Sequence, residues 1–239
     1  MKVLNDLVGY KDLKIYQNSD WFSFSLDSVL LPNFVTLNKN ISLVMDLCCG
    51  NAPIPLILST KTDAKIVGIE LQEDVYNLAK ESVEYNKLDN QISISNMNIK
   101  DLKDKYNGDS VDVITCNPPY FKYIESSNIN LDIHKVIARH EKEITLEEII
   151  DISHYLLKNN GCLAMVHRTD RLIEIISLFE KYGLEVKKLR FIYPKVNTES
   201  NMVLIEGRKN GNVGLKILPP LYAHNDDGSY TEEVLKMFE

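Results

Sequence analysis

The feature that most limits the fold of this 239-residue chain is a regular exchange of short apolar runs with helix-patterned segments. ISLVMDL (41–47), AKIVGIE (64–70), QISISN (91–96), VDVITC (111–116) and GCLAMVH (161–167) are rich in β-branched and aliphatic residues and read as strands. Residues 53–60 read as a short helix whose prolines fall in the first turn, where a missing N–H costs nothing. Residues 72–86 place Val75, Leu78, Ala79 and Val83 on one face, with Glu73 and Asp74 at the favourable end of the helix dipole. Residues 144–158 open with a Thr145–Glu148 capping box, and residues 169–183 run from Thr169 as N-cap to Gly183 as C-cap. Strands alternating with helices specify a mostly parallel α/β sheet with helices on both faces. LEVKKLRFIYP (184–194) and NMVLIEGRK (201–209) have no helix between them and read as an antiparallel hairpin at one edge. The expected sheet has seven strands, in one domain spanning 1–239.

Composition narrows the class of protein. No apolar run of about 18 residues is present, so no transmembrane helix is expected. The start MKVLNDLVGYKD lacks signal-peptide character, which points to the cytoplasm. Cys48, Cys49, Cys116 and Cys162 form no C-x-x-C pair and read as reduced, buried thiols. The five histidines lack zinc-site spacing, so no metal is expected. A net charge of −7 excludes a nonspecific nucleic-acid binder. Residues 161–220 nevertheless carry 10 Lys/Arg against 6 Asp/Glu, which leaves room for a local basic face.

Sheets of this kind bind ligands at the carboxyl ends of their strands. DLCCGNAP (46–53) follows the first strong strand and opens a helix, where backbone N–H groups can approach a ligand. Its glycine content is low: Cys48 and Ala52 stand where a dinucleotide turn uses glycine, and a positive φ at Ala52 would cost about 1 kcal/mol. Alone, such a loop is equally a plain tight turn. Glu70 ends the second strand 20 residues after Gly50, the spacing at which a carboxylate accepts ribose hydroxyls. Asn98 follows the third strand, where its carbonyl could face an adenine amino group.

Asn117-Pro118-Pro119-Tyr120 ends the fourth strand. The Asn117 side-chain oxygen and the Pro118 carbonyl suit the two hydrogens of a planar –NH₂ group, drawing its nitrogen toward tetrahedral geometry with the lone pair aimed at an electrophile. Residues before proline are held extended, so Pro118 and Pro119 fix the corner before substrate arrives. Tyr120 offers a flat face for stacking a base, worth about 1–3 kcal/mol.

This combination resembles the class I S-adenosylmethionine-dependent methyltransferases, Rossmann-like in fold, and among them the amino-methylating group with a [DN]-P-P-[YF] motif. FSFSLDSVLL (22–31), DLCCGNAPIP (46–55), NPPYF (117–121), ARHE (138–141), MVHRTDRL (165–172) and NMVLIEG (201–207) are together similar to the bacterial tRNA(Val) (adenine-37-N6)-methyltransferase family over nearly the whole chain. The resemblance implies S-adenosylmethionine as cofactor. Asp46, Cys48, Gly50, Asn51 and Ala52 would lie at its methionine part, Glu70 at the ribose, Asn98 at the adenine and Asn117 at the reacting methyl. Residues 1–40 would cover the cofactor, with Asp27 closing over the methionine end. The implied substrate is an adenine in a tRNA anticodon loop. Lys122, Lys135, Arg139, His140, Arg168, Arg171, Lys187, Lys188, Arg190 and Lys195 are candidate RNA contacts, and residues 121–143 a lid or target-recognition loop. Guanine N2 in rRNA and a protein glutamine present the same planar amine and stay open as substrates. A catalytically silent RNA- or nucleotide-binding module is the reading outside enzymes.

Overall fold

A computed structural model describes residues 1–7, 10–18, 25–120 and 143–238. The chain opens with an antiparallel hairpin, β1 (Lys2–Leu7) and β2 (Tyr10–Asn18), followed by helix α1 (Asp27–Phe34). The alternation then runs β3 (Leu43–Leu47), α2 (Pro53–Ser59), β4 (Lys65–Glu70), α3 (Glu73–Tyr85), β5 (Ile92–Asn96), α4 (Leu102–Lys105) and β6 (Val111–Cys116). After it come α5 (Leu146–Leu156), β7 (Leu157–Arg168), α6 (Leu172–Lys181), β8 (Leu184–Tyr193) and β9 (Met202–Lys209). Two short strands, β10 (Lys216–Ile217) and β11 (Leu221–Tyr222), and helix α7 (Glu232–Lys236) close the chain.

The main sheet has the order β10-β8-β9-β7-β6-β3-β4-β5, with β11 also on β8. Every pairing is parallel except those of β9 with β7 and β8. One expectation is corrected: the sheet has nine strands rather than seven, because the two-residue strands β10 and β11 add to the seven expected. The antiparallel hairpin β8–β9 lies at that end of the sheet as expected, with β9 as its inner strand. Burial explains the position. All but one residue of β9 is buried, as a strand covered on both faces requires, whereas β8 is half-buried along most of its length. β10 and β11 then cover the outer side of β8.

The sheet separates two apolar layers. Val44, Ile66, Val113, Ala164 and Leu204 face α1, α2, Val83 of α3 and the hairpin residues Leu7 and Ile15. Met45, Leu47, Ile114, Leu163 and Ile205 face Leu102 of α4, α5, and Ile175 and Phe179 of α6. The Thr145–Glu148 capping box forms as read. Thr169 does not cap α6: a 3₁₀ turn at Thr169–Arg171 precedes that helix, and the Thr169 hydroxyl donates to Ser200 O at 2.6 Å. Gly183, at φ 66°, takes the left-handed position after α6.

Side chains rather than a further strand close the hairpin's free edge. Asn86 Oδ1 accepts from Lys14 N–H (2.9 Å) and its Nδ2 donates to Lys14 O (2.7 Å). Ser82 Oγ accepts from Tyr16 N–H (2.9 Å), and Asn51 Nδ2 donates to Tyr16 O (2.8 Å). On the sheet, buried Glu206 accepts from Thr36 N–H (2.8 Å) and pairs with Lys188 (3.1 Å), whose ammonium also donates to Phe34 O and Thr36 Oγ1. No helix among the described residues is long and apolar enough to cross a membrane.

Candidate active site

Parallel strands β3, β4 and β6 bring Asp46, Glu70 and Asn117 to one end of the sheet. Asp46 stands opposite Gly68 and Thr115 in register. Its carboxylate is fully buried, and Oδ1 accepts from the Thr115 hydroxyl at 2.6 Å. Oδ2 is buried without a hydrogen-bond partner. Burial pushes the Asp46 pKa up to about 8 against the Thr115 hydrogen bond, and the charge of Glu70 adds to the rise. A buried carboxylate oxygen left open is costly unless a donor reaches it.

The loop after β3 turns tightly through three left-handed residues: Cys48 (φ 59°), Gly50 (φ 57°) and Ala52 (φ 71°). The strain foreseen at Ala52 is present, and Cys48 shares it, at roughly 1–2 kcal/mol each. The strain is held by hydrogen bonds. Cys49 N–H donates to Ile69 O (2.9 Å), Ala52 N–H to Cys49 O (3.0 Å) and Gly50 N–H to Glu70 Oε2 (2.9 Å). A Cβ on Gly50 would meet nothing within 4 Å, so the turn faces open space. Gly68 is the opposite case: a Cβ there would come within 2.8 Å of Cys49 Sγ and of Ile94 Cδ1, so the loop settles on β4 only because that position has no side chain.

Glu70 is nearly buried, and burial raises its pKa. Oε1 accepts from Gln72 N–H (2.8 Å) and Oε2 from Gly50 N–H, and Leu71 N–H is a further backbone donor to the carboxylate. Asn98 caps the 3₁₀ turn at Ile99–Asp101, its Oδ1 accepting from Lys100 N–H (3.0 Å). Asn51 Nδ2 donates to Tyr16 O, which ties the loop to β2.

At the end of β6, Asn117 Oδ1 accepts from the Tyr120 hydroxyl at 2.5 Å, and its Nδ2 lies 3.4 Å from Ser28 Oγ. The same hydroxyl lies 2.9 Å from Asp27 Oδ2, and Ser25 Oγ donates to that Asp27 oxygen (2.9 Å). Pro118 and Pro119 hold this corner between β6 and Tyr120. Asp27 therefore reaches the Asn-Pro-Pro-Tyr corner itself, by way of Tyr120. The Tyr120 ring packs against His167 at 5.4 Å between centroids, tilted 59°. His167, at the end of β7, is fully buried; Nδ1 accepts from Arg168 N–H (2.8 Å), so its proton sits on Nε2, which has no partner. Burial, helped by the Arg171 charge, drops its pKa to about 4.

Sequence reasoning missed Thr115, Ser28 and His167. Thr115 had a signal, as the one hydroxyl inside the apolar run VDVITC. His167 lay inside the quoted segment MVHRTDRL without a role. Among the basic candidates, Arg168 pairs with Asp170 (2.9 Å) and Lys195 donates to Asp226 O (3.1 Å). Arg171 is only 9% exposed and grips Glu174 through two nitrogens at 2.8 and 3.1 Å, which commits it to the fold. Lys188 is committed to Glu206, Lys187 donates to Asn212 O (2.6 Å), and Arg190 donates to Pro219 O and pairs with Glu233. Lys122, Lys135, Arg139 and His140, with residues 121–142 of the expected lid, lie outside the described residues.

The strand order, the strained loop and the amide corner together define a class I, Rossmann-like methyltransferase fold. A crystal structure of a predicted O-methyltransferase from Agrobacterium tumefaciens superposes with a TM-score of 0.69 at 16% identity, over 89% of this chain and 95% of that one. Residues 51–188 match the family described as "RMKL-like, methyltransferase domain", and the chain belongs to that family. The tRNA1(Val) (adenine(37)-N6)-methyltransferase of Flavobacterium psychrophilum is 22% identical over 235 residues, covering 97% of each chain. The protein of the same name from Porphyromonas gingivalis is 26% identical over 243 residues, covering 98% of this chain and 94% of its own.

Proposed function

We propose that this protein transfers the methyl group of S-adenosylmethionine to N6 of an adenine in tRNA, at position 37 of a valine tRNA. The observation that carries the reading is the Asn117 amide at the end of β6, oxygen turned to a hydrogen-bond donor and set beside the loop from Asp46 to Ala52. The names of the curated relatives supply the nucleoside and the RNA.

The residues present fit the cofactor. Asp46 Oδ2 is a buried acceptor lacking the donor that an α-ammonium group brings, and the buried Glu70 carboxylate keeps acceptor capacity toward the ribose hydroxyls. Asn98 would border the adenine. When bound, the cofactor supplies an electrophilic sulfonium methyl. The protein supplies alignment. Asn117 Oδ1 and the Pro118 carbonyl take the two amine hydrogens, which localises the nitrogen lone pair and turns it toward the methyl. Asn117 is neutral, so it adds no charge beside the sulfonium. Tyr120 offers its ring to the extruded base for stacking.

The chain acts as one methyltransferase domain in the cytoplasm. Residues 1–40 form a cover, tied on by the Asn51–Tyr16 bond and by Asp27 against Tyr120. Arg168 and Lys195, at the same end of the sheet as the site, meet the RNA phosphates.

The test is methyl transfer to unmodified tRNA, read as N6-methyladenosine by nucleoside mass spectrometry. Asn117→Ala should lower transfer by more than about 100-fold while cofactor affinity stays within about threefold, because the lost contact acts on the reacting amine. Methyl appearing on guanosine N2 or on a protein glutamine would replace the substrate assignment. Unchanged turnover in Asn117→Ala would remove the mechanism.

A further inference from the structure

The Tyr120 oxygen makes two contacts at hydrogen-bond length, 2.5 Å to Asn117 Oδ1 and 2.9 Å to Asp27 Oδ2. Each oxygen–oxygen contact needs a proton between its atoms. An amide oxygen carries none, and 2.5 Å is too short for an amide N–H to stand in its place. The single Tyr120 proton therefore lies toward Asn117. The second proton belongs to Asp27, which in this arrangement is the neutral acid. Burial favours the same state, since it raises the Asp27 pKa against the hydrogen bonds of Tyr120 and Ser25, and among the described residues no cation stands beside it.

The amine that Asn117 grips must take the place now held by the Tyr120 proton. Once it does, Tyr120 has one acceptor left, Asp27, and that acceptor must be a carboxylate. Binding of the amine and ionisation of Asp27 are thus one event. We propose that Asp27 is the proton acceptor of the methyl-transfer reaction, reached through the Tyr120 hydroxyl.

The proton balance closes. The amine nitrogen bonds to the methyl carbon as the sulfur–carbon bond breaks, leaving a neutral thioether and a cationic –NH₂⁺CH₃ group. The proton facing Asn117 Oδ1 passes to the Tyr120 oxygen. Tyr120 releases its own proton to the Asp27 carboxylate, leaving a neutral methylamine, an intact hydroxyl and Asp27 as the acid. This is the protonation state of the ligand-free site, and Asp27 returns its proton to water before the next turnover. Positive charge that began on sulfur ends on a group prepared for it, without a stranded cation in a buried pocket.

Among the described residues, the groups around Asp27 leave this role uncontested. Asp27 is the only charged residue of α1. α2, packed beside α1, has no titratable side chain. β7, also packed on α1, contributes His167, which is neutral and lies behind the Tyr120 ring. From β6 the neighbour is Cys116, whose thiol burial keeps protonated. Ser25 donates its hydroxyl proton to the same Asp27 oxygen.

This inference rests on the amine-methylating reading above. The test is single-turnover methyl transfer to tRNA between pH 5.5 and 9, with cofactor and tRNA affinities measured separately at each pH. The wild-type rate should rise with pH along a single ionisation and then level. Asp27→Asn should slow the step by about 100-fold, the scale of one lost proton-transfer group, and should lose that ionisation. Tyr120→Phe keeps the ring and breaks the path, so its profile should flatten in the same way even if Asp27→Asn does not fold. A purely structural Asp27 would weaken binding and leave the pH profile standing. Either variant keeping the wild-type ionisation overturns the proposal. Failure of the wild-type protein to methylate any tRNA amine overturns the underlying reading, and this proposal with it.

Discussion

Titrating S-adenosylmethionine into the protein at pH 7, in two buffers of different ionisation enthalpy, counts the protons lost on binding, and Asp46 sets the number to expect. With its pKa at about 8, Asp46 is about nine-tenths neutral at pH 7. The ligand's α-amino group, with a pKa of about 7.7–8.0, is about nine-tenths ammonium. Pairing the two as ions releases about 0.9 proton from Asp46 and takes up about 0.1 on the ligand, a net release of about 0.8 per cofactor. Ionising Asp46 costs about 1.4 kcal/mol at pH 7 and one such step more at pH 6, so affinity should rise close to tenfold between those values. Asp46→Asn should abolish the release. A wild-type release below about 0.2 proton would refute the pairing. The sign for the cofactor-free protein follows from the same shift. A folded-state pKa raised above the unfolded value of about 3.9 gives a contribution complete below pH 3.9 and lost as pH rises through about 8. Its melting temperature should therefore fall between pH 5 and 8.5, and Asp46→Asn should remove that slope.

Lys188→Ala should destabilise the fold by about 3 kcal/mol in urea, because it leaves the buried Glu206 carboxylate with only Thr36 N–H and a distant Arg208 at 3.7 Å. Adding Glu206→Leu should recover most of that loss; no recovery would show that the charge is not the cause. Gly68→Ala should cost about 1–3 kcal/mol by overpacking against Cys49 and Ile94, and should weaken cofactor binding because Cys49 belongs to the loop. Calorimetric titration and thermal melting together read both effects.

The central strands were legible because each is a short, doubly buried run with turn formers beside it. VDVITC shows this best, ending where two prolines make strand continuation impossible. That β9 is the inner strand of the edge hairpin was not legible from its spacing after β8. Its unbroken burial decides, and the run MVLIEG carries that information only when compared with the charged face of VKKLR. β1 and β2 escaped notice because an isolated hairpin rests on long-range bonds, here to Asn86, Ser82 and Asn51. Asn117, Asp46 and Glu70 were singled out from their strand-end positions, and the sheet brings them to one end. The link from Asp27 to Tyr120 joins residues 93 apart, and no local pattern announces it.

The insertion of β9 between β7 and β8 sets the order in which this chain can be completed during synthesis. β7 emerges with β6 on one side and nothing on the other, and its second neighbour ends only at Lys209. About forty residues separate those two points, which at roughly 5–20 residues per second leaves an apolar strand edge unpaired for about two to eight seconds. Truncated chains that stop within that stretch would already carry Asp46, Glu70 and Asn117 and still be the ones prone to clump.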